Sequence, residues 1–185
     1  MKFANKPKLM SNKSKVICLS WDNIFNGVLK SIESLDASSF DEILVMARGG
    51  MVPAAIISHH TVKRDLSFYQ GKRTASNTPH DYCEFVETGM SSKIKKGKRY
   101  LIVEDIIFKG VTIDGAIAKI KKGGSTLTGI CSIVIDEKFD MSSSNYGVSL
   151  YVAFICPHLK WIRFPWEKRV KGEKELQLNE KDIRN

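Results

Sequence analysis

The order of apolar and polar residues predicts alternating helices and strands in the first half of the chain. After Ser20, a residue type that often caps helices, apolar side chains recur at the spacing of one helix face. This stripe consists of Trp21, Ile24, Phe25, Val28, Leu29, Ile32 and Leu35. The apolar run within 42–47 predicts a buried strand, and Pro53 suits the first turn of a helix over 52–60. A short strand is expected over 66–69.

The second half of the chain repeats this alternation. Residues 100–103 form a short apolar run that ends in two acids, and a helix is expected over 112–122 because two glycines follow it. Two further apolar runs, 126–135 and 148–155, predict strands. Strands and helices that alternate at this spacing form parallel sheets. We therefore expect an α/β fold with a mainly parallel sheet and helices on both faces. The polar segment 71–84 has no periodicity and predicts a mobile loop.

Composition supports a single domain. The chain has 185 residues, of which 43% are hydrophobic and 26% are charged, a balance typical of globular proteins. No run approaches the roughly 20 apolar residues of a membrane helix, and the basic N-terminus lacks the apolar segment of a secretory signal. The four cysteines stand singly, which predicts reduced thiols and a cytoplasmic protein. We divide the chain into a basic extension (1–15), the domain (16–167) and a charged tail (168–185).

Basic residues exceed acidic ones by 29 to 20, which gives a formal net charge of +9. They cluster at Lys93, Lys95, Lys96, Lys98, Arg99, Lys119, Lys121 and Lys122. Such an excess attracts nucleic acid, anionic lipid or a phosphorylated small molecule, and it also occurs as a solvated surface. The clusters lack the interleaved aromatic side chains on which single-stranded nucleic acid stacks. Charge alone therefore selects no partner.

Candidate chemistry lies at two strand ends, because open α/β sheets bind ligands beyond the carboxyl ends of their strands. Adjacent carboxylates at Glu104 and Asp105 would be costly if buried without a partner, so we expect them to face a hydroxylated ligand or a metal ion. Residues 109–112 open the next helix, where amide groups, a lysine and a hydroxyl suit a phosphate. Together the two features suit a sugar phosphate.

The other strand end carries Arg48, Gly49 and Gly50. The arginine supplies a fixed positive charge, and the glycines allow backbone geometries that other residues avoid. A second anion site opposite the first would suit a ligand with phosphate at both ends. The sequence contains neither GxxxxGK[ST], which binds nucleotides for hydrolysis, nor the dinucleotide motif GxGxxG.

Four stretches stand in order between Trp21 and Glu167. A Trp-Asp pair begins the first helix, residues 47–53 read ARGGMVP, residues 103–112 read VEDIIFKGVT and residues 161–167 read WIRFPWE. Together they make the chain resemble the purine phosphoribosyltransferases, most closely their bacterial xanthine-guanine branch. The second stretch is similar to the pyrophosphate-binding SRGGLVP of that branch, and the last is similar to W-I-x-x-P-W-[DE]. Residues 103–112 align without gaps on the signature V-[DE]-D-x-x-x-T-G-x-T, which binds phosphoribosyl pyrophosphate (PRPP).

The resemblance implies a type I phosphoribosyltransferase of purine salvage. Such an enzyme joins a purine base to PRPP with the help of Mg²⁺ and releases a nucleoside 5′-monophosphate and pyrophosphate. The expected bases are guanine, xanthine and hypoxanthine. The resemblance also implies the fold of that family, with a small C-terminal hood over the base, a flexible loop at 71–84 that covers the reacting centre, and a homo-oligomer.

The resemblance also implies a role for each matching residue. Glu104 and Asp105 are expected to be catalytic and to hold the ribose hydroxyls directly or through Mg²⁺, with Asp105 as metal ligand. The 5′-phosphate is expected on Lys109, Gly110, Val111 and Thr112. Pyrophosphate is expected on Arg48 with the backbone of Gly49 and Gly50. The base is expected to meet Phe108, Lys138 at its 6-oxo group, Trp161 on its face and the Ile162 backbone at its edge.

Two departures from the branch leave two interpretations open. Phe108 stands where the branch has an Asp that contacts purine N7 and handles its proton, and a phenyl ring cannot transfer a proton. Residues 109–112 read Lys-Gly-Val-Thr instead of Thr-Gly-Gly-Thr, which keeps the amide donors and adds charge. The chain is therefore either an active purine phosphoribosyltransferase, with Phe108 affecting base preference, or a regulator of the same fold. Such a regulator would bind PRPP or a nucleotide and touch nucleic acid through its basic surface.

Overall fold

The computed structural model describes residues 2–10, 16–74, 82–139, 146–158, 160–168, 176–177 and 183–184. Its helices are α1 (Trp21–Ser31), α2 (Met51–Thr61) and α3 (Val111–Lys122). Its strands are β1 (Lys2–Phe3), β2 (Lys8–Met10), β3 (Val16–Cys18), β4 (Glu42–Ala47), β5 (Leu66–Thr74), β6 (Tyr82–Met90), β7 (Arg99–Ile107), β8 (Thr126–Asp136), β9 (Ser149–Cys156), β10 (Trp161–Arg163), β11 (Leu176–Gln177) and β12 (Ile183–Arg184).

The described strands form a nine-stranded sheet and a three-stranded sheet. The main sheet has the order β12-β2-β9-β8-β7-β4-β5-β6, and β1 pairs with the same edge of β9 as β2. Its five central strands are parallel, whereas the β5–β6 and β2–β12 pairs are antiparallel. In the smaller sheet β3 lies between β10 and β11 and is parallel to both. The predicted mainly parallel α/β fold is confirmed.

Helices cover both faces of the main sheet. One core joins α1 and α2 to the sheet through residues such as Ile24, Val28 and Val103, and a second joins α3 to the opposite face. Strand β4 serves both cores, because Ile43 and Val45 belong to the first and Leu44 and Met46 to the second. An uninterrupted apolar run is typical of a parallel strand that is buried on both faces.

The helix boundaries follow their capping residues. Ser20 caps α1 by accepting a hydrogen bond from the backbone N–H of Asn23 (3.1 Å), while the Asn23 side chain accepts one from the backbone N–H of Ser20 (3.0 Å). Helix α3 ends at Lys122, before Gly123, as predicted. The apolar stripe of α1 is only partly buried, because Trp21 and Phe25 are 54% and 52% exposed. Among the described residues, no helix is long and apolar enough to cross a membrane.

Two predicted elements have different bounds in the structure. The loop expected over 71–84 is wrong at both ends, because β5 continues to Thr74 and β6 begins at Tyr82; the remainder, 75–81, lies outside the described residues. Strand β6 is an edge strand of the sheet and pairs with β5. Polar side chains are tolerated near such an edge, and apolar periodicity is weak there. Strand β7 also runs beyond Val103 and includes the acid pair.

Residues near both ends of the chain add strands that the sequence pattern did not predict. Strands β1 and β2 lie along β9, and the Asn5 side chain between them pairs with the Val152 backbone through two hydrogen bonds of 2.6 and 3.0 Å. Within the predicted tail, β11 pairs with β3 and β12 with β2. Strands of two or three residues are too short to produce a visible period. The division of the chain into extension, domain and tail stays a prediction.

Candidate active site

The predicted site residues lie mainly along the edge of the main sheet that is formed by the carboxyl ends of its strands. The parallel strands β4, β7, β8 and β9 all end there, and open α/β sheets bind ligands at this edge. Strands β4 and β7 are neighbours, so the segment 48–50 after β4 meets the acid pair near the end of β7. The carboxylate of Asp105 lies directly against Gly49, where a Cβ would come within 2.2 Å of its Cγ. Arg48 is exposed beside this contact.

The acid pair is more buried than the sequence suggested. Glu104 is only 9% exposed and Asp105 is half-buried. Burial, together with the neighbouring Asp105 charge, raises the pKa of Glu104 well above its ordinary value. Burial also raises the pKa of Asp105, although its hydrogen bond from the Ile106 backbone N–H (2.8 Å) opposes the shift. Burial therefore opposes ionisation of both carboxylates, and of Glu104 more strongly than of Asp105.

A third buried acid shows how this fold accommodates a structural carboxylate. Glu42, at the opposite end of the sheet, is 1% exposed and lies 2.9 Å from the Lys95 ammonium. The hydroxyl of Ser67 donates to one of its oxygens, and the hydroxyl of Tyr100 lies 3.4 Å from the other. By contrast, no lysine, arginine or histidine in the described part of the chain forms an ion pair with Glu104 or Asp105. Unpaired acids in this position favour a ligand that brings its own positive charge.

The segment after β7 has the backbone of an anion site. Gly110 adopts a left-handed conformation (φ +73°) and precedes the first turn of α3. A Cβ there would lie 2.9 Å from the Phe139 ring and 3.0 Å from the Tyr146 hydroxyl, so glycine also allows close packing. The first amides of a helix have no partner within it and favour an anion. Lys109 is exposed next to them, Val111 is 38% exposed and Thr112 is half-buried.

The residues predicted to contact a base lie on three segments. Phe108 follows β7 and is half-buried, and Lys138 follows β8 and is exposed. Trp161 and Ile162 begin β10 in the smaller sheet, where Trp161 is half-buried and Ile162 is buried. The carbonyl of Arg163 accepts a hydrogen bond from the Leu19 backbone N–H (3.0 Å), which ties β10 to the segment before α1. Strand β10 follows β9 in the chain and belongs to the smaller sheet, whereas the small C-terminal hood stays a prediction.

One pair of residues near this edge was missed by the sequence analysis. Asp136 is buried at the end of β8, and its carboxylate lies 3.0 Å from Nδ1 of His158, which follows β9. The two residues are 22 positions apart, so no local motif joins them. The available signal was an aspartate at the end of a buried strand.

The basic clusters lie at the other end of the sheet and are partly neutralised. Lys95 pairs with Glu42, Arg99 with Asp41 and Lys119 with Glu87, at distances of 2.8–2.9 Å. These ion pairs therefore neutralise part of the positive charge of the basic clusters. The side chains of Cys18, Cys131 and Cys156 are buried.

A family model described as phosphoribosyl transferase domain matches residues 20–171. Among solved structures, a purine phosphoribosyltransferase from Pyrococcus horikoshii is 25% identical to this chain, with a TM-score of 0.66 over 87% of this chain and 99% of its own. No curated protein matches the chain.

Two more distant structures show the same fold. A hypothetical protein from Neisseria gonorrhoeae with bound ppGpp is 15% identical, with a TM-score of 0.69 over 85% of this chain and 92% of its own. The xanthine-guanine-hypoxanthine phosphoribosyltransferase of Helicobacter pylori is 16% identical, with a TM-score of 0.59 over 82% of this chain and 94% of its own.

Proposed function

The chain belongs to the phosphoribosyl transferase domain family, and on that premise we propose that it transfers the 5-phosphoribosyl group of PRPP to a purine base. The expected acceptors are guanine, xanthine and hypoxanthine, and the products are a nucleoside 5′-monophosphate and pyrophosphate. A role in purine salvage follows from this reaction. The observation that carries the proposal is the contact between the Asp105 carboxylate and Gly49, which joins the expected ribose and pyrophosphate sites.

Each part of PRPP has a suitable group at this edge. The exposed guanidinium of Arg48 suits the pyrophosphate oxygens, and the backbone of Gly49 and Gly50 follows it on the same segment. The carboxylates of Glu104 and Asp105 suit the ribose hydroxyls. At the other end of the sugar, the amides that begin α3, with the Lys109 ammonium and the Thr112 hydroxyl, suit the 5′-phosphate.

The acid pair also fits Mg²⁺. This ion usually binds proteins through one or two carboxylates and completes its shell with water and substrate phosphates. Asp105, with Glu104 beside it, offers two carboxylates. Within the described segments no group of three or more metal-binding side chains occurs. When bound, the ion would neutralise negative charge on the departing pyrophosphate. We propose Asp105 as its protein ligand.

The protein's own contribution to bond breaking is electrostatic. Positive charge develops on the ribose as its bond to pyrophosphate lengthens, and nearby carboxylates stabilise that charge. The backbone N–H of Asp105 donates to Glu104 Oε1 (3.1 Å), and that of Ile106 donates to Asp105 Oδ1 (2.8 Å). Because both carboxylates are held by strand backbone, they need little reorganisation during the reaction.

The choice of a purine rests on three supports. The stretch WIRFPWE places a tryptophan, Trp161, at the start of β10, where its ring could stack on a base. Lys138 follows the neighbouring strand β8 and could donate to a 6-oxo group. The Pyrococcus structure, at 25% identity, is that of a purine phosphoribosyltransferase. Phe108, which directly precedes the expected 5′-phosphate site at 109–112, adds an apolar surface.

A pyrophosphate-release assay tests this function. Wild type is incubated with PRPP, Mg²⁺ and a panel of purines, orotate and uracil, and release is expected only with a purine present. Asp105→Asn should lower the rate about 10²–10⁴-fold, because the ribose and the metal lose a charged ligand. Asp41→Asn is the matched control, since Asp41 pairs with Arg99 at the opposite edge. An inactive wild type, or an Asp105→Asn variant with wild-type rate, would contradict the proposal.

The homo-oligomer implied by the resemblance and the cytoplasmic location expected from the sequence belong to the same proposal. Light scattering of the purified protein measures the first, and cell fractionation measures the second. A monomer at working concentration would contradict the expected assembly without affecting the proposed chemistry.

A further inference from the structure

A buried aspartate and a histidine meet beside the residues proposed to hold the base. Asp136 is 4% exposed, and its carboxylate oxygens lie 3.0 and 3.1 Å from Nδ1 of His158. The backbone N–H of Lys138 donates to the same carboxylate (2.8 Å), and the backbone N–H of His158 donates to the Glu137 carboxylate (2.8 Å). These contacts hold the imidazole next to the strand end from which Lys138 departs.

The strand register places this pair next to Phe108. Ile107 of β7 and Ile135 of β8 form the last pair of a parallel ladder. The next residues of the two strands, Phe108 and Asp136, therefore lie side by side just beyond that pair. On its other side Asp136 pairs with Cys156 of β9, two residues before His158. Asp136 therefore lies between Phe108 and the segment that carries the histidine.

The reaction of a purine with PRPP requires the base to lose a proton. When N9 of a base that carries hydrogen on N7 forms its bond to C1′, the ring becomes cationic unless that hydrogen leaves. Neither the phenyl ring of Phe108 nor the ammonium of Lys109 can accept a proton. A neutral imidazole accepts one readily near neutral pH.

The geometry of the pair leaves one nitrogen of the ring suited to this task. An ionised carboxylate only accepts hydrogen bonds, so the hydrogen of a neutral His158 lies on Nδ1, which faces Asp136. Its Nε2 is then an acceptor and forms no hydrogen bond with any described residue. The side chain is 35% exposed, which leaves it accessible to a ligand. The buried carboxylate would stabilise the imidazolium that forms on proton uptake.

We propose that Nε2 of His158 accepts the proton of the purine base, with Asp136 as its positioning residue; this role rests on the proposed function. The N9 lone pair forms the bond to C1′, and the C1′–O bond breaks with its electron pair passing to pyrophosphate. The N7 hydrogen leaves as a proton to Nε2, and its bonding pair restores the neutral ring. Water then takes the proton from Nε2.

The first test replaces the imidazole and keeps a side chain of similar length. His158→Gln should lower kcat with guanine about 10²–10⁴-fold, while PRPP affinity measured by calorimetry stays within about twofold of wild type. The matched control is His60→Gln, which changes an exposed histidine at the end of α2 and should leave kcat unchanged. Retained PRPP affinity shows that the variant is folded. A His158→Gln variant with wild-type kcat would overturn the proposal.

A second test separates proton transfer from a structural role. Free imidazole should restore part of the turnover of His158→Ala, because it supplies the missing acceptor. The loss in His158→Gln should also be smaller with 8-azaguanine than with guanine, since its ring hydrogen is more acidic and needs less help to leave. No rescue by imidazole together with equal losses for both bases would assign His158 a structural role and overturn the proposal.

A third variant covers the case in which both substitutions at residue 158 abolish PRPP binding. Asp136→Asn keeps the size of the side chain and removes the charge that stabilises an imidazolium, so kcat should fall with PRPP affinity retained. Unchanged kcat would overturn the inference. Failure of this inference can be told from failure of the proposed function. An active wild type with an unaffected His158→Gln variant removes only the proposed role of His158. A wild type that is inactive with every base removes both.

Discussion

The Asp105 carboxylate occupies the space that a side chain at Gly49 would need. A Cβ at Gly49 would stand 1.8 Å from Asp105 Oδ2, far closer than two nonbonded atoms approach. The residues are 56 positions apart, yet their neighbouring strands β4 and β7 bring them into contact. The absence of a side chain at Gly49 therefore leaves the space in which the Asp105 carboxylate lies.

Gly49→Ala is expected to abolish most of the transferase activity. The added methyl group forces the Asp105 carboxylate away from its place, and a displacement of about 1 Å can cost about 10²-fold in rate. Steady-state kinetics measure this effect. The control is Gly89→Ala, where the nearest atom to a new Cβ is Gln70 Oε1 at 3.5 Å. Wild-type activity in Gly49→Ala would show that the position of Asp105 does not matter.

Glu104→Gln is expected to raise the Tm and lower the activity. Burial, with the Asp105 charge, raises the pKa of Glu104, so the folded protein binds this proton more tightly than the unfolded chain does. The stability that the group contributes is full below its unfolded pKa of about 4.5 and is lost as pH rises through the folded pKa. Glutamine does not ionise, so the Tm advantage of the variant should grow from about pH 5 to pH 8. A constant difference across this range would contradict the pKa shift.

Gly110→Ala is expected to weaken PRPP binding as well as the fold. Its φ of +73° costs an alanine about 1–2 kcal/mol, and the new Cβ also meets Phe139 and Tyr146. The control is Gly97→Ala, which has a similar φ of +75° but nothing within 4 Å of a new Cβ. Both variants should lose stability in thermal melts, and only Gly110→Ala should lose PRPP affinity in calorimetry. Equal PRPP affinities of the two variants would show that the turn at Gly110 does not contribute to PRPP binding.

Ser67→Ala is expected to destabilise the fold without affecting PRPP binding. Its hydroxyl donates to buried Glu42 at the opposite end of the sheet, and loss of a donor to a buried acceptor costs about 1–3 kcal/mol. Exposed Ser34, whose hydroxyl donates to the Ala4 carbonyl, provides the control Ser34→Ala, expected within about 0.5 kcal/mol of wild type. Chemical denaturation measures both variants. Equal stabilities would show that Lys95 and Tyr100 suffice for Glu42.

The central elements were predictable because burial imposes a regular pattern. The bounds of β4 match the predicted 42–47, and both the cap of α1 at Ser20 and the end of α3 at Lys122 follow from residue types. The sequence also predicted that the segment 48–50 and the acid pair follow or end strands, whereas their contact depends on the pairing of β4 with β7, which the structure provides.

Elements held by backbone pairing at the sheet edge were not predictable in the same way. In β5 beyond Tyr69 and in β6, polar side chains are tolerated and the ladder has two register shifts, so periodicity disappears. The Asp136–His158 pair depends on two strands that end side by side, which no local spacing records. Trp21 and Phe25 follow the helical period of α1 and still remain exposed, because periodicity identifies a face without showing whether that face is covered.

The two cores that share β4 also limit how the chain can change. Because Ile43 and Val45 point to one core and Leu44 and Met46 to the other, a single inserted residue would exchange the two sets. The same insertion would shift Gly49 along the strand axis by about 3.3 Å and bring another residue against Asp105. Mutation can therefore vary the side chains of this strand within their size limits, whereas insertions and deletions there disrupt folding and ligand binding together.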